Sequence, residues 1–456
     1  MAPLRDALHV LVIPYPAQGH VKPLMELSHR LVEHGFKVTF LNTEFNHKRV
    51  IAAMGSGVDI EGDKIHMAAI PDGLGPEEDR NQHGKLIPSM WSVMPGYLEA
   101  FIGRIMTDSY ESNIKCVICD WTMAWALEVA AKMGIPRAAF WPASGAVLAS
   151  LHHIPRLIED KIIDANGIPS NNQMIQLSPT MPLMNPDQLV WLCMGDTATT
   201  SEMFNFFLWI SRTVELVDHF ICNSFYDLEP YVFEQFPNVK PIGPVMARSS
   251  GANFWAEDST CISWLDQQSA NSVIYVAFGS HTMLDGRKVK ELALGLELSK
   301  RPFLWVVRPD LTSGKAIEYP DGFLERVASR GRMVRWAPQY NVLAHPSIAC
   351  FLTHCGWNST TEALSAGVPL LCWPYFGDQF INETYICDLW KVGLRLNPAE
   401  SGLISRDEIK EKLDLLLGDE EINSNTKKMK EMATRSVSNG GDSLKNLVDF
   451  IEKIKA

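Results

Sequence analysis

Residues 336–379 read WAPQYNVLAHPSIACFLTHCGWNSTTEALSAGVPLLCWPYFGDQ, a strand, a turn and a helix in one piece. The apolar run Ile348, Ala349, Cys350, Phe351, Leu352 is short and stops at Thr353-His354-Cys355-Gly356. Asn358 to Ala366 then has helical composition, so the strand feeds a helix across a tight turn. Gly367-Val368-Pro369 breaks that helix. Free amides at a helix start attract anions. His354, Asn358 and Ser359 add side-chain donors there, and Glu362 lies one helical turn beyond Asn358. The local expectation is a phosphate cradle with a carboxylate beside it.

A similar pattern opens the chain. His9 to Ile13 is a short apolar strand, Pro14-Tyr15-Pro16-Ala17-Gln18-Gly19-His20 is the loop after it, and Val21, Leu24, Leu31 and Val32 repeat at helical spacing up to Gly35. Lys37 to Leu41 resumes strand, giving a βαβ unit with His20 at its helix start, outside the carboxyl end of a strand, where ligands bind. Histidine suits proton abstraction, because its pKa lies near working pH and a helix start favours its neutral form. Further on, Lys115 to Cys119 is a strand ended by Asp120, followed by a helix from Ala124 to Met133 and a strand from Arg137 to Phe140. In a parallel sheet Asp120 comes out on the rim that carries His20. It either orients the imidazole or caps its own helix. Trp121 and Trp141 either line a pocket or pack in the core. In the second half, the strand Ser272 to Phe278 runs into Gly279-Ser280-His281-Thr282, a small-residue turn through which Ser280 can approach phosphate. Strands at Phe303 to Arg308 and Gly331 to Trp336 precede the quoted stretch.

Composition narrows the function. A chain of 456 residues favours two large domains. A net charge of −12 argues against nucleic acid and anionic membrane as partners. Nine cysteines without a framework suit a reducing compartment, and Cys116 and Cys119 bracket a strand with no second pair at zinc spacing. No apolar run approaches the ~18 residues of a membrane span. There is no GxGxxG after the first strand, no Walker A sequence and no Asp-x-Asp. Those absences count against a dinucleotide dehydrogenase, a P-loop kinase and a metal-dependent sugar transferase. The Ser, Gly and Ala rich stretch Val245 to Thr260 is the linker candidate. Beyond Asn439-Gly440-Gly441, Leu444, Leu447, Val448, Ile451 and Ile454 form one apolar stripe.

The box at 336–379 resembles, at almost every fixed position and over its full length, the signature of plant secondary-product glycosyltransferases, which use UDP-sugars and belong to glycosyltransferase family 1. Pro14 to Pro23 resembles the segment that carries that family's base, and the likeness runs along nearly the whole chain, least between Asn166 and Trp209. The resemblance implies an α/β GT-B fold of two facing Rossmann-like domains with parallel sheets. The expected division is an acceptor domain over 1–244, a linker over 245–262, a UDP-sugar domain over 263–439, and a last helix over 440–456 that crosses back onto the first domain.

By resemblance Trp336 stacks on uracil, Ala337 and Gln339 contact the nucleoside, and Glu362 takes the ribose hydroxyls. His354, Asn358 and Ser359 hold the pyrophosphate, while Trp357, Asp378 and Gln379 face the sugar, with Trp357 and Gln379 favouring glucose. His20 is implied as base and Asp120 as its support; Trp121, Trp141 and Phe376 are acceptor-side candidates. The implied protein is a monomeric, cytoplasmic, inverting UDP-glucose-dependent transferase. It takes a small apolar acceptor and needs no cofactor and no metal, UDP-glucose being its donor substrate. The alternatives are a UDP-sugar binder without turnover and a GT-B nucleotide-sugar epimerase.

Overall fold

Short runs of Val, Ile, Leu, Phe and Cys bounded by Gly, Pro and polar residues are the sequence form of strands buried on both faces, and the chain folds them into two parallel sheets. The computed structural model describes residues 8–54, 64–107, 114–179, 181–194, 197–246, 253–312 and 317–456. It divides the chain into two units, one of residues 1–255 with 435–456 and one of residues 256–434.

The first unit carries β1 (Leu8–Ile13), β2 (Phe36–Thr43), β3 (Ile65–Ile70), β4 (Ile114–Asp120), β5 (Arg137–Trp141), β6 (His219–Cys222) and β7 (Val239–Pro241). Their order is β3-β2-β1-β4-β5-β6-β7, with parallel neighbours throughout. The order reverses between β1 and β4, which opens a crevice at their carboxyl ends. The register pairs Ile13 with Cys119, so the residues that follow each strand emerge side by side.

The second unit repeats the plan with β8 (Val273–Ala277), β9 (Phe303–Val306), β10 (Gly331–Val334), β11 (Ile348–Thr353), β12 (Leu370–Cys372) and β13 (Gly393–Arg395) in the order β10-β9-β8-β11-β12-β13. Here the reversal falls between β8 and β11. Val276 and Leu352 are register partners, and the turns after both strands meet at one rim.

Of the expected linker, residues 247–252 lie outside the described residues, Asn253 to Trp255 belong to the first unit, and the helix Thr260–Leu265 is already part of the second. The second unit ends at Thr434, within the helix Glu420–Val437. The last helix, Asp442–Lys455, packs on the first unit's core through Leu447, Phe450, Ile451 and Ile454. Val448, expected in that stripe, is 39% exposed. On a helix it lies about 100° round from Leu447, whereas Phe450 and Ile451 flank the line from Leu447 to Ile454.

Phe450→Ala is therefore expected to destabilise the first unit by about 3–5 kcal/mol, and Val448→Ala by less than about 0.5 kcal/mol. Urea unfolding followed by fluorescence measures both.

Candidate active site

The helix Gln18–Glu33 starts directly beyond β1, after Ala17 in extended backbone, which puts His20 in its first turn. Asp120 is the last residue of β4 and has no exposed surface. The neighbouring strands bring the two together: His20 Nδ1 and Asp120 Oδ2 are 2.6 Å apart. With Nδ1–H donated to the carboxylate, Nε2 is the nitrogen able to take a proton. The other oxygen, Oδ1, accepts from the Thr122 backbone N–H at 2.9 Å and the Thr122 hydroxyl at 2.6 Å. Asp120 thus does both things the sequence left open. It caps the turn after β4 with one oxygen and holds His20 with the other.

Tyr15 and His83, not singled out by the sequence reading, complete the surroundings. The Tyr15 ring lies 5.1 Å from the His20 ring, and its hydroxyl is 3.0 Å from His83 Nδ1. Burial, helped by the Asp120 charge, pushes the Tyr15 phenol up, so it stays protonated. Burial and then His20 push His83 down to about 4, so it is neutral at pH 7. Gln18, two positions before His20, accepts the Phe254 backbone N–H at 2.7 Å and ties the helix start to the chain at 253–255.

Trp121 and Trp141 are buried within the first unit. Trp121 is fully buried, its indole N–H donating to Thr213 Oγ1 at 3.1 Å, with Phe220 and Trp141 against its faces and edges. Trp141 donates to the Ser144 carbonyl at 2.8 Å. Each indole has both its apolar body and its N–H accounted for within the fold. Cys116 and Cys119 are buried strand residues whose thiols burial pushes up. Among the described residues no group of three or more His, Cys, Asp or Glu is arranged to hold a metal ion.

In the second unit the centre is His354, at the end of β11. An added Cβ on Gly279 would lie 2.4 Å from His354 Nε2, and one on Gly356 2.5 Å away. The imidazole is therefore clasped between two backbones that only glycine permits, and Gly279 also has φ of +62°. Burial and the Arg308 charge push His354 down to about 4, opposed by the Ala277 backbone. It is a neutral group beside the start of the helix Trp357–Ala366, where Gly356 provides no side-chain cap. Ser280 is half-buried on the turn after β8. Arg308, just past β9 and 2% exposed, shapes that turn by donating to the Gly279 and Thr282 carbonyls at 2.8 and 2.6 Å. An arginine closing an apolar strand was the one sequence sign of it.

Three further candidates form a network of their own. Gln339 Nε2 donates to Ser359 Oγ at 2.9 Å and to Glu362 Oε2 at 2.7 Å, and its Oε1 accepts from the Tyr275 hydroxyl at 3.2 Å. Trp336 is half-buried and accepts the Asp258 backbone N–H at 2.8 Å through its carbonyl, next to buried Ala337. Trp357 is buried at the first position of its helix and Asn358 half-buried at the second. Asp378 precedes the helix Gln379–Thr384. The Gln379 carbonyl oxygen is turned into its own loop, accepting from the backbones of Tyr375 at 2.8 Å and half-buried Phe376 at 3.0 Å.

Two Rossmann-type units of parallel strands, one with a His–Asp pair at its rim and one with a glycine-clasped histidine at its rim, are the architecture of a GT-B group-transfer enzyme. The chain belongs to the UDP-glucoronosyl and UDP-glucosyl transferase family, whose profile matches residues 9–434, and is a glycosyltransferase of GT-B fold. It is 43% identical to UDP-glycosyltransferase 83A1 of Arabidopsis thaliana over 98% of this chain and 97% of that one. It is 34% identical to 7-deoxyloganetin glucosyltransferase of Gardenia jasminoides, covering 98% of each. Among solved structures it is similar to a UDP-glucosyltransferase from Polygonum tinctorium capable of glucosylating indoxyl, with a TM-score of 0.83, 27% identity and 99% of both chains covered.

The depressed His354 value has a consequence for stability. Between its ordinary 6.5 and about 4, the unfolded chain binds a proton that the folded one refuses, so stability falls as pH drops through that window. His354→Gln is expected to flatten the acid limb by about 1 kcal/mol per pH unit, read from urea midpoints between pH 7 and 4.5.

Proposed function

We propose that the chain is an inverting UDP-glucose-dependent glucosyltransferase that acts on a hydroxyl of a small, largely apolar plant metabolite. The observation that carries this reading is the 2.6 Å bond from His20 Nδ1 to buried Asp120, at the crevice where the strand order reverses. His20 Nε2 takes the acceptor proton, the freed oxygen pair attacks the anomeric carbon, and the bond from that carbon to the UDP oxygen breaks with its electrons leaving on UDP. Displacement from the far side gives a β-glucoside. Asp120 keeps the tautomer and steadies the imidazolium formed.

On the donor side Trp336, Ala337, Gln339 and Glu362 take the nucleoside. His354, Asn358, Ser359, Ser280 and the helix start take the pyrophosphate. Trp357, Asp378 and Gln379 face the sugar. Neutral donors and a helix start stabilise the departing diphosphate in this scheme without calling on a metal. The preference for glucose is supported by the Gardenia and Polygonum relatives, both named for glucosyl transfer. Nine free cysteines, most of them buried, fit a cytosolic, reducing setting.

An acceptor panel with UDP-glucose, followed by UDP release and product mass, tests the reading. The wild type is expected to add one hexose to at least one acceptor class. His20→Ala should lose about 10²–10⁴ of that rate while binding UDP unchanged. Full activity of His20→Ala would remove the base assignment, and hexose transfer from another UDP-sugar in preference to UDP-glucose would remove the donor assignment.

A further inference from the structure

The geometry points to Asn382 as a positioning residue for the sugar half of the donor, one that fixes Asp378 against the turn at Cys355. This rests on the reading above, in which Asp378 faces the sugar and the 354–359 turn faces the pyrophosphate. Asn382 is 1% exposed on the helix Gln379–Thr384. Its Nδ2 donates twice, to the Cys355 carbonyl at 2.9 Å and to Asp378 Oδ2 at 3.0 Å. One –NH₂ group therefore joins the residue before the sugar-side helix to the turn before the phosphate-side helix.

Three features argue that this link is a device for geometry. Asp378 occupies the N-cap position of its helix yet makes no side-chain cap bond. An aspartate there ordinarily bonds the amides of the first turn; here an oxygen takes the Asn382 amide. Cys355 has φ of +66°, a left-handed conformation for a residue with a side chain, which persists where surrounding bonds over-determine it. Asn382 holds its carbonyl, and the Cys355 N–H donates to Thr353 Oγ1 at 3.2 Å. Finally, the amide orientation is forced. Flipped, its oxygen would face two acceptors; as it stands, Asn382 Oδ1 is buried with no partner among the described residues. The position uses the two donors and leaves the acceptor unsatisfied.

A UDP-sugar must reach both places at once, with its pyrophosphate on the turn and its sugar hydroxyls near Asp378. Holding the two at one separation removes the ordering cost of bringing them together on binding. UDP alone lacks the hexose and is indifferent to Asp378.

The test is calorimetric titration of the full chain with UDP and with UDP-glucose, for wild type, Asn382→Ala, Asn382→Asp, Asp378→Ala and the double variant Asn382→Ala/Asp378→Ala. Asn382→Ala is expected to weaken UDP-glucose about tenfold, the size of a lost hydrogen bond to a charged group, and to leave UDP within about threefold. Asn382→Asp, which sets oxygens against oxygens, should do at least as much harm. In the Asp378→Ala background the Asn382 change should add nothing, because the residue acts through Asp378. An equal added loss in that background, or UDP weakening in step with UDP-glucose, would overturn the proposal and leave Asn382 a support of the turn. If Asp378→Ala itself leaves the preference for UDP-glucose over UDP untouched, the sugar role of Asp378 falls, and this inference with it. Should Asn382→Ala fail to fold, Asn382→Ser, which keeps one donor, runs the same cycle.

Discussion

Asp120 is a carboxylate with no exposed surface, and the first unit depends on answering both of its oxygens. A buried anion that loses a partner costs several kcal/mol, so the groups around it cannot vary freely. Thr122 must follow at the right distance to supply its amide and hydroxyl, and His20 must arrive from the helix after a neighbouring strand. The arrival is set by register. Because Ile13 pairs with Cys119, the loop after β1 and the end of β4 reach the same rim, and a slip of one residue would turn the Asp120 side chain to the opposite face of the sheet.

The second unit meets a different constraint at the same place in its topology. Its order also reverses between β8 and β11, but the feature there is close approach of backbone to a ring. Gly279 and Gly356 leave room for the His354 imidazole that any Cβ would fill. Arg308 draws in the carbonyls of the turn that starts at Gly279. The result is a neutral imidazole held in a glycine-bounded turn with a guanidinium behind that turn.

Much of this was legible in one dimension because the relevant signals are local. An apolar run ending in Thr353-His354-Cys355-Gly356 and followed by helical residues specifies a strand, a turn and a helix wherever it sits. Pro14 to His20 does the same after β1. What the sequence left open involved faces and partners. Trp121 carried no sign of what it would meet, because its packing against Phe220 and its bond to Thr213 come from segments far along the chain, whereas Trp141 bonds the carbonyl of nearby Ser144. Val448 and Phe450 are both apolar, and it is Phe450, flanking the line from Leu447 to Ile454, that meets the first unit's core. Gln379 matched the box by type, yet its carbonyl oxygen caps the loop before it.

The sequence by itself determined the two βα openings, the glycine-bounded turns, the residue types suited to proton abstraction and phosphate, and the parallel α/β class, since these follow from periodicity, breakers and side-chain chemistry between near neighbours. Only the tertiary structure decided that Asp120 serves His20 and Thr122 at once, that Gln339 joins Ser359 to Glu362, that Arg308 and Asn382 stand behind the turns, and which aromatic rings are core. Those facts are hydrogen bonds and contacts between segments brought together by strand order and register, and no spacing along a single segment encodes its partner's.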